Sequence, residues 1–153
     1  MPVPRSSSSR PQMVVQTFSQ GYNCSQSMLM VHGPEFDLDP VAAMRLATAL
    51  GIGCSRGEQC GAVTGALLVI GLKNGDGGAD GAEGKAFTYH LAREFMRRFT
   101  ARRGTLICRE MLGLDPSTPD GLRQARAEGR FTTVCHGVLT DAAEILEEIL
   151  AIE

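Results

Sequence analysis

Charge of one sign is missing from this chain: its 153 residues carry 15 Lys and Arg against 17 Asp and Glu, a formal net charge of -2. That balance supplies neither the basic footprint of a nucleic-acid binder nor an acidic solvating tail, so no nucleic-acid partner is expected. Long hydrophobic runs are missing too. The longest nearly uncharged apolar stretch, Cys60 to Leu72, holds thirteen residues with three glycines, against the roughly twenty that span a bilayer. No membrane association is expected. Residues 1–10 lack the apolar centre of a secretory signal and read as a disordered leader, and with it the chain reads as cytoplasmic. Alternating β-branched runs and a fixed-period repeat are absent as well, which excludes sandwiches and solenoids. What is present, 43% hydrophobic and 21% charged residues, suits one soluble domain over residues 11–153.

Punctuation divides that domain into helices, and the fold class expected is all-α, a single irregular multi-helix bundle. A short helix covers about Gln12 to Ser19 and breaks at Gly21. A second starts at Asn23, with Gln26 three places on as in a capping box. Asp39-Pro40 opens a third, ending at Gly51. After the glycine-rich bend 51–57 a helix is expected from Glu58 to Leu72, then a loop from Asn74 to Gly81. Phe87, Leu91, Phe95 and Phe99 mark a long helix from about Gly81 to Arg102. A short helix carries Cys108, Asp115-Pro116 and Pro119 open a polar connection, and the last helix runs from Thr133 to Ile152.

Five cysteines are too few for a disulfide scaffold, and their number is odd. In a reducing compartment such residues are more often metal ligands or redox-active thiols than bridges. On the helix assignment above, Cys24, Cys60, Cys108 and Cys135 all fall in the first turn of four different helices. Unpaired backbone N–H groups there lower a thiol pKa and favour thiolate, the form that binds metal. If the four ends converge, they supply four anionic ligands and N–H donors to cluster sulfides. Gly61, Ala62, Gly65 and Ala66 make a face with almost no side chain. Gly61 and Gly65 would let a helix, a second copy in a homodimer, or an inorganic cofactor approach the backbone closely.

These residues resemble a family of redox-active proteins named for a C…GCAxxG…C…C cysteine pattern, a module also found in split-Soret cytochromes. The resemblance runs through Gly21-Tyr-Asn-Cys24-Ser-Gln, Gly57-Glu-Gln-Cys60-Gly-Ala-Val-Thr-Gly65-Ala with Ile70-Gly-Leu72, Cys108-Arg-Glu-Met-Leu-Gly113, and Cys135 before the last helix. It implies a helical domain in which Cys24, Cys60, Cys108 and Cys135 are redox thiols or iron–sulfur ligands. The expected role is an electron carrier holding an iron–sulfur cluster and meeting an unidentified redox partner protein. No catalytic acid, base or nucleophile other than cysteine is nominated. Cys54, six residues before Cys60, is additional to the pattern: a bystander, a resolving thiol or a substitute ligand.

Rival readings stay open. Zinc also takes four thiolates, but no two cysteines here are closer than six residues, unlike the usual C-x₂₋₄-C knuckles. Thiol–disulfide exchange without metal would use the same lowered thiol pKa, although no C-x-x-C is present. A binding or assembly module with incidental cysteines is the third. His136 reads as a surface or helix-face residue ahead of a hydrogen-bond donor to the site, His32 and His90 have no partner visible in the sequence, and with no C-x-x-C-H before His136 covalent haem attachment is excluded. The run around Asp76 and Asp80 fails as a calcium loop because Phe87 stands at the twelfth position. Gly84-Lys85 fails as a phosphate loop because Ala86 replaces Ser/Thr. Arg93, Arg97, Arg98, Arg102 and Arg103 read as a basic helix end complementing the macrodipole.

Overall fold

Capping chemistry sets the first helix starts. A computed structural model describes residues 8–75 and 81–153. In it Ser9 and Gln12 form a capping box at α1 (Arg10–Ser19), and Asn23 and Gln26 form one at α2 (Cys24–His32). Asp39 accepts the Ala42 N–H at 2.9 Å to open α3 (Pro40–Leu46). α1 begins at Arg10, two residues before the start expected at Gln12, with Ser9 as its N-cap; residues 1–7 lie outside the described residues. The third helix stops at Leu46, and a separate 3-10 turn, Thr48–Leu50, completes the path to Gly51.

The remaining elements are α4 (Gly61–Asn74), α5 (Ala82–Arg103), α6 (Cys108–Leu112), α7 (Pro119–Ala127) and α8 (His136–Leu150). The loop expected over 74–81, with its Asp76 and Asp80, lies for the most part outside the described residues. Left-handed glycines end α5 at Gly104 (φ 80°) and α6 at Gly113 (φ 74°). Among the described residues the chain is all-α, with no strand and one isolated antiparallel bridge between Gln59 and Ile107. No helix there is long and apolar enough to cross a membrane.

Two segments depart from the expected boundaries. The stretch read as a polar connection contains α7, capped by the Thr118 hydroxyl on the Gly121 N–H at 3.0 Å, with Pro119 in its first turn. Only Ala125 of that helix is buried, so it offered no apolar stripe to read. The helix expected from Glu58 begins at Gly61, because Cys60 N–H is taken by the Leu106 carbonyl at 2.7 Å and the Glu58 carbonyl by Cys108 N–H at 2.6 Å. That long-range pairing holds residues 58–60 extended.

The core is built where α2, α4, α5 and α8 meet. Met28, Ile70, Leu91, Phe95, Phe99, Leu139 and Leu146 are fully buried, and the Phe95 and Phe99 rings stack with centroids 6.1 Å apart. The small face of α4 packs on α2. An added Cβ at Gly65 would meet Met28 Cβ at 2.8 Å and the Ser25 carbonyl at 3.0 Å. This face is thus buried inside the chain rather than exposed for a second copy. The arginines of α5 do more than complement a dipole. Arg98 reaches Glu148 (3.1 Å), Arg102 reaches Glu144 (2.8 Å) and Arg103 reaches Asp141 (2.7 Å), so they fasten the end of α5 to the acidic side of α8.

Candidate functional site

Each of the four cysteines stands where a helix begins. Cys24 is the first residue of α2 and Cys108 the first of α6, while Cys60 immediately precedes α4 and Cys135, closing a π turn (Phe131–Cys135), immediately precedes α8. All four line one cavity of about 60 Å³. That is room for a few water-sized bodies, since one water needs roughly 10–15 Å³. The rest of the wall is mostly apolar, including Phe18, Ile52, Met111, Leu112, Val134 and Val138, and among the described residues it carries no acidic or basic side chain.

Hydrogen bonds from residues flanking the cysteines fix their positions. The buried Ser25 hydroxyl donates toward the Gly61 carbonyl at 2.7 Å and the Leu50 carbonyl at 3.2 Å, tying the start of α2 to the start of α4. Asn23 donates to the Thr48 carbonyl (3.0 Å) and Gln26 to the Met44 carbonyl (3.0 Å). The Gln59–Ile107 bridge ties Cys60 to Cys108. Arg109 adds a hydrogen bond to the Gly57 carbonyl at 3.2 Å. Between α3 and α4 the backbone turns left-handed at Ile52, Cys54 and Ser55 (φ 54°, 55° and 64°), a conformation costing a non-glycine residue on the order of 1 kcal/mol. Gly53 in this turn is required, because a Cβ would lie 2.5 Å from the Glu58 nitrogen and 2.7 Å from Cys108 Cβ.

The thiols are not all tuned as helix starts alone would tune them. Burial pushes Cys60 up to about 11, although the N–H groups of Ala62 and Val63 pull the other way. Burial likewise pushes Cys108 up to about 12, with Cys60 and Cys135 adding to it. Cys24 is raised, first through its hydrogen bond with Cys135, then by desolvation. Only Cys135 is lowered, because it accepts the Cys24 hydrogen and feels the Arg103 guanidinium. The expectation of four lowered thiols is therefore corrected: loss of hydration outweighs the helix N-termini at Cys60 and Cys108, and at Cys24 the proton is held first by its hydrogen bond to Cys135.

All five cysteines are free thiols, and among the described residues no three His, Cys, Asp or Glu side chains stand in metal-holding geometry. The donor set nevertheless fits a thiophilic group: four sulfurs in one apolar cavity, with no competing carboxylate or imidazole in its wall. Cys54 lies apart, with its Sγ 3.7 Å from Thr64 Oγ1 and 3.9 Å from the Gln59 carbonyl. Gly61 lines the cavity, where a Cβ would come 3.1 Å from Cys24 Cβ; Gly65 faces α2 and does not line it. His136 packs edge-on against Phe18 at 5.8 Å, His90 is exposed, and His32 is buried with Nδ1 on the Met28 carbonyl. Sequence reading missed Ser25, Arg103 and the left-handed turn. A serine after a cysteine and one arginine among five carry no local signal, although the glycine-rich bend marked the turn.

Comparison with curated proteins and with solved structures gave no match. A family model described as "Putative redox-active protein (C_GCAxxG_C_C)" matches residues 22–149, a span that contains all four cavity cysteines. With most of its length inside that match, the chain belongs to the C_GCAxxG_C_C family of redox-active proteins.

Proposed function

We propose that Cys24, Cys60, Cys108 and Cys135 hold an iron–sulfur cluster and that the protein carries electrons to and from a partner protein, in the cytoplasm, without a substrate of its own. One observation carries this reading: four cysteines from four separate chain segments line one apolar cavity that offers no general acid or base. When bound, such a cluster supplies a one-electron couple whose potential responds to hydrogen bonds, charge and solvent exposure. The chain's own residues would set those conditions. Ala62 and Val63 direct N–H groups at the Cys60 sulfur, and Arg103 places positive charge near Cys60 and Cys135. Phe18, Ile52 and Val138 exclude water. Because three thiols hold their protons tightly, ligation must displace them, and binding should strengthen as pH rises.

Purification under anaerobic conditions, followed by iron and acid-labile sulfide analysis, tests the reading. Iron and sulfide together with a sulfur-to-iron absorption band are expected; a colourless protein that takes up neither on reconstitution would overturn it. The hydrogen-bonded Cys24 and Cys135 favour a second reading, a metal-free dithiol that two-electron oxidation closes to a disulfide. Mass spectrometry of the oxidised, alkylated protein separates the two, since only that reading yields a Cys24–Cys135 crosslinked peptide as the main product.

A further inference from the structure

Outside the thiol cavity, and sharing its wall, lies an open groove of about 420 Å³. Phe18, Ile52 and Phe131 line both spaces, so a molecule in the groove would be separated from the cavity by single side chains. The volume falls in the range of roughly 300–1,000 Å³ usual for small-molecule sites. Its ring-bearing walls are Phe18, Tyr22, Phe131 and His136, with the Phe18 and His136 rings edge to face at 86°. Ser19, Thr132 and His136 add polar groups, but formal charge is one-sided: among the described residues Arg126 lines the groove and no acidic side chain does.

Arg126 also differs from its neighbours. Arg123 pairs with Asp120 and Arg130 with Glu128, and Arg98, Arg102 and Arg103 are paired with carboxylates of α8. Among the described residues no ion pair engages Arg126. It stands four residues after Leu122 on α7, so the two share one helix face, and both line the groove. The helix that buries only Ala125 thus presents an apolar residue and an unengaged cation to a ring-lined groove.

We propose that this groove binds a planar aromatic anion, with its rings against Phe18, Tyr22 and Phe131 and its anionic group at Arg126. Stacking and charge would act together there, and a guanidinium without a carboxylate partner is free to take a charge-assisted hydrogen bond. The inference does not depend on what the thiols hold, so a protein without iron leaves it standing.

The chain has no tryptophan and two tyrosines. In Tyr89→Phe, which alters an exposed residue under Arg93, Tyr22 becomes the sole emitter. Titration of the full-length Tyr89→Phe protein with anthraquinone-2-sulfonate, corrected for inner-filter absorption, should quench Tyr22 saturably. Adding Arg126→Glu should weaken binding about ten-fold or more, the size expected for loss of one charge-assisted contact, while Arg126→Lys should retain most of it. Arg126 is exposed, so far-ultraviolet circular dichroism should stay unchanged in both variants. Non-saturating quenching would overturn the proposal. So would affinity indifferent to Arg126→Glu, or equal binding of an aromatic trimethylammonium cation of similar ring area.

Discussion

Two glycines of α4 should respond oppositely to the same substitution. Among the described residues nothing lies within 4 Å of the position a Cβ would take at Gly71, whereas Gly65 would place one 2.8 Å from Met28 Cβ and 3.0 Å from the Ser25 carbonyl. Alanine gains about 1 kcal/mol over glycine inside a helix, so Gly71→Ala should stabilise by roughly 0.5–1 kcal/mol. At Gly65 the same gain is opposed by overpacking of about 1–3 kcal/mol. The obstructing atoms are backbone and Cβ, which cannot swing aside, so α2 and α4 must part. Net destabilisation of roughly 1 kcal/mol is expected. Parting the helices also moves Cys24 relative to Cys60, so Gly65→Ala should weaken cobalt(II) binding, read from sulfur-to-cobalt charge-transfer absorption, and Gly71→Ala should not. Urea unfolding of both variants supplies the stability values. Equal shifts of the same sign would refute the close α2–α4 packing on which the position of Cys24 rests.

Ser25→Ala removes the buried hydroxyl's hydrogen bond to the Gly61 carbonyl, which keeps its place in the ladder of α4, and should cost about 0.5–1.5 kcal/mol in urea unfolding, whereas an unchanged stability would place the hydroxyl's hydrogen bonds in water. Cys60 is raised from 9.0 to about 11, so in the unfolded chain it releases its proton first. Its contribution to the stability of the metal-free protein, about 3 kcal/mol, is full below pH 9 and lost as pH rises to 11. Unfolding curves of wild type and Cys60→Ala should converge over that window, and parallel curves would count against it. His32 is lowered from 6.5, chiefly by burial, and among the described residues its Nε2 has no hydrogen-bond partner. The stability that His32 withholds from the unfolded state is present above pH 6.5 and lost as pH falls below it. His32→Phe should flatten the loss of stability between pH 7 and 5, and an unchanged acid limb would contradict the assignment.

What could be read in the sequence was what local chemistry decides. Asn23 and Asp39 announce their helices because a cap acts within three residues, and Gly104 and Gly113 end theirs because the left-handed turn is local. The stripe Leu91, Phe95 and Phe99 is buried as its spacing requires. Harder to see was whatever a distant segment imposes. Residues 58–60 leave the helix only because Leu106 and Cys108 claim their backbone groups. The bare face at Gly61 and Gly65 was legible, but not that α2 occupies it. The thiols were placed by the helix starts, yet the upward shifts depended on burial at Cys60 and Cys108 and on the Cys135 contact at Cys24, which no spacing encodes. Helix α7 was missed because its apolar side is narrow, Leu122 and Ala125 among polar and charged neighbours, although Thr118 and Pro119 mark its start.

The central claim is that four cysteines make one centre and the fifth stands outside it. Iron and acid-labile sulfide per chain, measured after identical anaerobic reconstitution of Cys24→Ser, Cys60→Ser, Cys108→Ser, Cys135→Ser and Cys54→Ser, test that division. The account predicts large loss or altered spectra in each of the first four and wild-type loading in Cys54→Ser, whose sulfur contacts Gln59 and Thr64 instead of the cavity. Wild-type loading in any of the four, or loss of loading in Cys54→Ser, would contradict it.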